Sequence, residues 1–168
     1  MIFMSQSGLM DSQRQAAWEQ WYLAHLHVML TVDGIESAQR FELLRGDASP
    51  SLAIYTLASP EVFRDAYYLS IRGMGQWLPL IDRAQYHRNL FAGLDSAPEV
   101  PDTGLLLVAD RDEPEPLLGG IAWTWLEAVG LDRSTPYRGI AVVSAAHATR
   151  VPRADVASYR PVTGRLCP

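Results

Sequence analysis

The chain has 168 residues, of which 48% are hydrophobic and 20% charged, as is typical of a single globular domain. Its net charge of −5 argues against nucleic-acid binding, because phosphate contacts require clustered cations. All 14 basic residues are arginine, which excludes a Schiff-base lysine and the lysine of a phosphate-binding loop. The only cysteine is Cys167, so neither an intrachain disulfide nor a cysteine-based zinc site is possible.

We expect neither a targeting segment nor a membrane-spanning segment. The first ten residues have neither a basic region nor a long apolar run, so a secretory signal is not expected. No apolar stretch approaches the roughly 20 residues of a membrane span. We therefore expect a cytoplasmic protein that does not contact a membrane.

Residues 2–9 predict a first strand, with a disordered start as the alternative, and a helix over about 12–31 follows, with Asp11 or Ser12 as its cap. At 100° per residue, one face of this helix carries five large side chains. They are Trp18, Trp21, Tyr22, His25 and Met29. A second face carries Leu23, Leu26 and Leu30. A helix that is apolar on two sides is expected to be buried on both, between a sheet and a second layer or subunit.

The segment after this helix predicts a hairpin. Asp33-Gly34 is typical of a helix end, because glycine tolerates the left-handed conformation found there. Residues 37–45 alternate in polarity and predict a strand. One side of that strand consists of Gln39, Phe41 and Leu43. Turn-forming residues at 46–50 lead into a second strand at 52–57, so the two strands are expected to pair antiparallel.

A second helix is predicted from 60 to about 71, with proline and an acidic residue in its first turn. The order over 2–75 is then strand, helix, strand, strand, helix, and one more strand would complete a ferredoxin-like βαββαβ unit. Two segments compete for that place, 85–94 and 104–110, and the second has the stronger strand pattern.

The rest of the chain predicts less. Residues 117–129 fit either a strand or a short helix, and residues 137–145 predict a strand. The tail from His147 carries several arginines and three prolines, which indicates an irregular segment that frays or wraps a neighbour.

A pattern in the first half of the chain resembles a known family. It consists of Trp21-Tyr22, His25, Asp33-Gly34-Ile35 and Ser37-Ala38-Gln39-Arg40-Phe41. It is similar to the WY…H…PG(F/I)xSAxRF stretch of small bacterial proteins of the dimeric α/β-barrel superfamily, near its EthD-like members. The resemblance covers about residues 1–75, and Asp33 stands where that family commonly has proline.

The resemblance implies an α+β fold, in which a four-stranded antiparallel sheet carries two helices on one face. Two such sheets meet across a dimer to form a barrel, and a homodimer is therefore expected. There is also a physical reason for pairing, because a sheet with helices on one side only must cover its other face. We expect one domain over 1–168, with the ferredoxin-like unit at 1–110 and a C-terminal extension of unknown role at 111–168.

The same resemblance implies a pocket between sheet and helices, with His25 as its matched histidine. We expect His25 to act as a general base and Tyr22 as a second catalytic residue, since imidazole titrates near neutrality. The expected substrate-binding residues are Trp18, Met29, Arg40 and Tyr55. Tyrosine and arginine could donate hydrogen bonds to a developing oxyanion. The alternative is structural: a hydrogen-bonded core histidine, and strand residues that cover an edge or form an ion pair.

No metal site and no cofactor are expected. His25 and His27 are two residues apart on a helix, so their rings point about 160° apart and cannot share an ion. The acidic residues at 110–113 are better explained as a solvated turn than as a cation site. A haem held by His25 or His87 is left as an alternative.

Two functions are compatible with these residues. The first is a protein that binds a small apolar or aromatic molecule and carries out cofactor-free proton transfer or oxygenation with His25 as base. The second is a non-catalytic interaction protein, whose helix and C-terminal tail make dimer and partner contacts. A cavity beside His25 large enough for a ligand, roughly 300 Å³, would favour the first.

Overall fold

The structure, a computed structural model, describes residues 1–117, 120–148 and 155–168. Its strands are β1 (Ile2–Ser7), β2 (Ile35–Arg45), β3 (Ser51–Leu57), β4 (His87–Ala92), β5 (Gly104–Arg111), β6 (Thr124–Leu131), β7 (Tyr137–Ser144) and β8 (Ala157–Pro161). Its α-helices are α1 (Gln15–Met29), α2 (Ala66–Ile71) and the short α3 (Ala145–Ala148). Short 3₁₀ helices span Ser12–Arg14, Pro60–Arg64, Gly75–Leu80 and Arg83–Gln85.

The eight strands form one closed antiparallel barrel in the order β1-β3-β2-β8-β5-β7-β6-β4, with β4 pairing back to β1. The first four strands lie in the order β4-β1-β3-β2, and the last four repeat that pattern as β8-β5-β7-β6. The barrel therefore consists of two four-stranded sheets from the same chain. They join at two seams, β2–β8 and β4–β6.

The predicted fold class was wrong. We expected a ferredoxin-like α+β unit over 1–110 that needs a second subunit to complete a dimeric barrel, whereas one chain closes an eight-stranded β-barrel by itself. The face of the first sheet that lacks helices is covered by the second half of the chain, which forms the opposite wall. The uncovered sheet face, which was the physical reason to expect a homodimer, is therefore covered within one chain. The homodimer itself stays a prediction.

The choice of the fourth strand explains part of this error. Both competing segments are strands: β4 pairs with β1, while the stronger pattern at 104–110 forms β5 and begins the second sheet. The supposed extension contributes β6, β7 and β8. The strand at 137–145 is confirmed by β7, and 117–129 contains most of β6. The tail from His147 is only partly described, because 149–154 lie outside the described residues, and its later part forms β8.

Side chains that alternate along each strand fill the barrel interior. The interior core consists of Ile2, Met4, Phe41, Leu52, Ile54, Phe91, Ala97, Val100, Leu106, Val108, Leu126, Ala128, Ile140, Ala157 and Tyr159. The predicted β2–β3 hairpin is confirmed, and Phe41 and Leu43 of the predicted side belong to this interior. The third residue of that side, Gln39, is also buried and bonds to the carbonyl of Val100 at 2.7 Å.

Helix α1 lies on the outer face of the first sheet. Its buried residues are Trp18, Tyr22, Leu26 and Met29, which define a single apolar face. Of the predicted second face, Leu26 and Leu30 are buried in the same core as the first face, whereas Leu23 is 36% exposed, so this face does not pack on a separate layer. A helix on the outside of a closed barrel has only one wall to pack against.

The second predicted helix is divided in two. A 3₁₀ helix ends at Arg64, Asp65 is extended with φ −61° and ψ 133°, and α2 begins at Ala66. The Asp65 carboxylate accepts a hydrogen bond from the backbone N–H of Tyr68 at 2.8 Å and so caps α2. No helix among the described residues is long and apolar enough to cross a membrane.

Candidate functional site

Four of the six predicted site residues line one narrow slot between α1 and the outer wall of the barrel. They are Tyr22, His25, Met29 and Tyr55. The other lining residues are Phe3, Ser5, Tyr68, Gly73, Met74, Tyr86 and Arg88. We call this place the aromatic slot. Its free volume is about 20 Å³, which is room for one water molecule and well below the roughly 300 Å³ of a ligand pocket.

Helical spacing explains how α1 presents its three slot residues. Tyr22, His25 and Met29 are three and four residues apart, so they share one face. Tyr22 and Met29 are buried, while the imidazole of His25 is partly exposed at the edge of the slot. It stacks on the ring of Trp21 with 4.8 Å between ring centroids and an interplanar angle of 10°. His25 is thus held in place but keeps an open side.

Trp18 and Arg40 lie behind the slot rather than in it. The ring of Trp18 meets the Tyr22 ring edge-on, with 5.0 Å between centroids. The Arg40 guanidinium lies 4.3 Å from the centroid of the same ring. These two residues therefore support Tyr22 and have no contact with the free space.

The Arg40 guanidinium is fully occupied by contacts within the fold. It is 1% exposed and forms an ion pair with Glu19 of α1, in which Nη2 donates to Oε1 at 2.9 Å and Nη1 donates to Oε2. Its Nε and Nη2 each lie 3.3 Å from the hydroxyl oxygen of Ser51. The ion pair ties α1 to β2, as the structural alternative for a strand arginine anticipated.

Burial keeps the phenols of the slot protonated. Desolvation raises the pKa of Tyr22, Tyr68 and Tyr86, and it raises the pKa of Tyr55 well above its usual value. The nearby charge of Arg40 opposes this effect at Tyr22 and Tyr55 but is the smaller cause. Near neutral pH all four hydroxyls are therefore able to donate hydrogen bonds.

Desolvation has the opposite consequence at His25. It lowers the pKa of the imidazole, because burial disfavours the charged form. The ring is then neutral near pH 7 and can accept a proton. The slot combines a neutral base with neutral phenol donors, which is the pairing that proton transfer requires.

Hydrogen bonding adds smaller effects at the centre of the slot. Interaction with the hydroxyls of Ser5 and Tyr55 lowers the pKa of Tyr22, while interaction with Tyr22 raises the pKa of Tyr55. Burial is the largest cause at both phenols, so Tyr22 keeps an O–H proton that it can donate.

Arg88 of β4 adds a cationic donor that the sequence reasoning missed. Its Nε is buried and has no hydrogen-bond partner among the described residues. Its Nη2 lies 3.9 Å from Asp132, and its guanidinium stands 5.8 Å from the centroid of the Tyr86 ring. Unpartnered buried donors are rare in folded proteins, so this one marks the slot as a place that favours an acceptor.

Sequence reasoning also missed slot residues on α2 and β4, because the sequence alone does not show which side of these elements faces α1. Tyr68 is buried, whereas its neighbour Tyr67 is 48% exposed. The predicted continuous helix over 60–71 is interrupted at Asp65, so its spacing did not identify the buried tyrosine. The alternation in β4, where Leu90 is buried outside the barrel and Phe91 inside it, was a usable signal for the side on which Arg88 lies.

The remaining candidates lie elsewhere. His87 is at one end of the barrel, where its Nε2 is 3.1 Å from the carbonyl oxygen of Ala84. The space of about 20 Å³ beside His25 does not admit a haem in this conformation. Asp110, placed with the acidic turn in the sequence reasoning, instead forms an ion pair with Arg138. No group of three or more histidine, cysteine, aspartate or glutamate side chains among the described residues could hold a metal ion.

Comparison of the chain with protein-family models gave no match, and comparison with curated proteins gave none either. The resemblance of residues 1–75 to EthD-like proteins therefore remains a prediction.

Proposed function

We propose that this is a cytoplasmic protein that binds a small aromatic molecule with a hydroxyl or carbonyl group at the aromatic slot, and that His25 transfers a proton there. One observation carries the proposal: a neutral imidazole, four neutral phenols and an unpartnered guanidinium N–H converge on one slot. Apolar side chains such as Phe3 and Met29 complete the lining and suit a planar ring.

The slot must widen to take such a molecule, and one segment is suited to that movement. Met74 lines the slot and is 4% exposed, so its side chain fills space that a ligand needs. It stands between Gly73 and Gly75, whose φ values are +92° and +49°. Nothing lies within 4 Å of the position that a Cβ on Gly73 would occupy. A flexible methionine between two glycines can leave the slot, at a cost of about 1.5–3 kcal/mol for the apolar surface that it exposes, which ligand burial must offset.

The proposed chemistry needs no cofactor. The neutral His25 imidazole takes a proton from an acidic O–H or C–H of the bound molecule and becomes imidazolium. The electron pair left behind becomes an oxyanion on the ligand, to which Tyr22 and Arg88 donate hydrogen bonds. Return of the proton to another ligand atom completes an isomerisation. Removal of such a base typically lowers the rate by about 10² to 10⁴.

The test is a ligand and turnover panel of catechol-like and polyketide-like compounds. The wild type is compared with His25→Ala, Tyr22→Phe and His27→Ala, the last being an exposed histidine on the same helix. We expect His25→Ala to lower turnover by about 10² to 10⁴, Tyr22→Phe to reduce it, and His27→Ala to leave it unchanged. Equal turnover in His25→Ala and His27→Ala would remove the base assignment.

A second candidate function is favoured by the closed state of the slot. Its volume of about 20 Å³ suits a packed core cluster without a ligand. The protein would then act by interaction, with the exposed Leu23 and Val28 of α1 contacting a second copy or another partner. Failure of every ligand in the panel, together with a dimer mass in light scattering that Leu23→Glu reduces to a monomer, would favour this candidate.

A further inference from the structure

One end of the barrel is open and lined by polar side chains. Two cavities of about 420 Å³ and 310 Å³ lie there and share four lining residues, Gln6, Asp47, Ala48 and Asp110. The space is formed where β1, β5 and β7 reach this end and the turn between β2 and β3 closes over it. We call it the barrel mouth. Its size is within the range of sites for small molecules.

The clearest sign of a binding site in the mouth is an unsatisfied amide. Gln6 is 6% exposed, lines both cavities, and has a buried Oε1 with no hydrogen-bond partner among the described residues. A buried acceptor without a donor costs roughly 1–3 kcal/mol. The mouth therefore favours a ligand that presents an O–H or N–H to this oxygen.

The Tyr159 phenol does not satisfy this oxygen. The Tyr159 hydroxyl donates to the carbonyl oxygen of Ser49 at 3.0 Å. Burial raises the pKa of Tyr159 to about 12, and interaction with Gln6 is a smaller cause that lowers it, so the phenol keeps the proton that it donates to Ser49. That proton is therefore not available to Oε1 of Gln6.

The mouth contains a buried arginine paired with a partly exposed aspartate. Arg138 is 1% exposed, and its Nε and Nη2 bind the two carboxylate oxygens of Asp110 at 2.7 Å each. Its Nη1 has only a weak contact, 3.6 Å to the sulfur of Met4. This nitrogen can still donate to a ligand oxygen. The Asp110 side chain is 45% exposed and also remains accessible.

The rim adds further negative charge. Asp47 is exposed and forms no ion pair with any other described residue. Arg111 on the opposite side pairs with Asp155 and Glu115. Among the described residues, Asp47 therefore leaves a carboxylate at the rim without a cationic partner, which favours a cationic ligand.

We propose that the barrel mouth binds a small amine that also carries hydroxyl groups, of the size of an amino sugar. Its ammonium group lies between the carboxylates of Asp47 and Asp110, one hydroxyl donates to Gln6 Oε1, and another oxygen accepts from Arg138 Nη1. Each polar group of this ligand pairs with a donor or acceptor in the mouth that the fold leaves available. The site is separate from the aromatic slot, and His25→Ala is expected to leave it unchanged.

The experiment uses glucosamine as probe and glucose as the matched neutral control, with binding measured by calorimetry and by amide chemical shifts. We expect glucosamine to bind with a Kd of about 1 mM or lower and glucose at least about tenfold more weakly, because it lacks the charge. Shifts are expected at Gln6 and along the turn at 46–50. Added salt is expected to weaken the binding of glucosamine and to leave the binding of glucose unchanged.

Two variants locate the site. Asp47→Asn changes an exposed rim residue and is expected to weaken glucosamine about tenfold, while Asp33→Asn, an exposed aspartate outside the mouth, has no effect. Gln6→Leu removes the acceptor and is expected to abolish binding, with folding checked by its spectrum. Absence of saturable binding up to about 10 mM, or equal affinities in the two aspartate variants, would overturn the proposal.

Discussion

The ion pair between Arg40 and Glu19 offers the sharpest test of how α1 is attached to the barrel. Arg40→Met keeps most of the aliphatic stem but removes the guanidinium, its bonds to Ser51 and its stacking on Tyr22. Removing one partner of a buried pair costs about 3–5 kcal/mol. Because the Glu19 side chain is 30% exposed and regains some hydration, we expect the lower end, about 3 kcal/mol.

The assays are urea unfolding and thermal unfolding, both followed by tryptophan fluorescence, because Trp18 lies on α1 next to Glu19. For a chain of this length, a loss of about 3 kcal/mol corresponds to a fall in Tm of roughly 6–12 °C. The matched control is Arg64→Met, which removes an exposed pair with Glu61 and is expected to cost less than about 1 kcal/mol. A loss for Arg40→Met no larger than that of the control would refute the reasoning.

Two other predictions concern the protonation of the slot and one close backbone approach. Because burial lowers the pKa of His25 in the folded protein, the unfolded chain binds a proton at this histidine at a higher pH than the folded protein does. The free energy of unfolding is therefore unaffected by protonation of His25 above about pH 6.5, and it falls as the pH is lowered from there through the pKa of the folded protein. Urea unfolding at about pH 7.5 and pH 5 measures how much the free energy of unfolding falls between these two pH values. We expect a smaller fall for His25→Gln than for the wild type, and equal falls would contradict the burial of His25. A Cβ on Gly46, at φ +110°, would lie 2.8 Å from Cα of Ala157, so Gly46→Ala is expected to cost about 3 kcal/mol. Gly164→Ala, with open space around it, is the control, and similar stability of the two would count against the contact between the turn after β2 and the start of β8.

Local patterns predicted most of the first half of the chain. The strand at 2–9, the helix over 12–31 and the hairpin of 37–57 match β1, α1 and the β2–β3 pair. These elements are determined by polarity patterns and turn residues within a few positions of one another. The closure of the barrel is not, because the seams pair residues that are 35 to 120 positions apart, such as Phe91 with Ala128 and Phe41 with Pro161.

The candidate site was predictable on the same terms. The face of α1 brought Tyr22, His25 and Met29 together because helical spacing is local, and Tyr55 joined them through the predicted hairpin. Arg88 was missed because its place depends on the pairing of β4 with β1. The barrel mouth was not foreseen, since Gln6 and Arg138 meet only after the second sheet closes over the first.

The central claim is that a single chain closes its own barrel, and a disulfide across one seam tests it directly. Glu42 and Arg160 face each other across β2–β8, and partners on adjacent antiparallel strands are within the Cα separation that a disulfide requires. The double variant Glu42→Cys, Arg160→Cys is made in a Cys167→Ser background and oxidised at low concentration. We expect each chain to carry an internal disulfide, with no free thiol and no covalent dimer on non-reducing electrophoresis. Covalent dimers, or two thiols that stay free, would contradict a barrel closed within one chain.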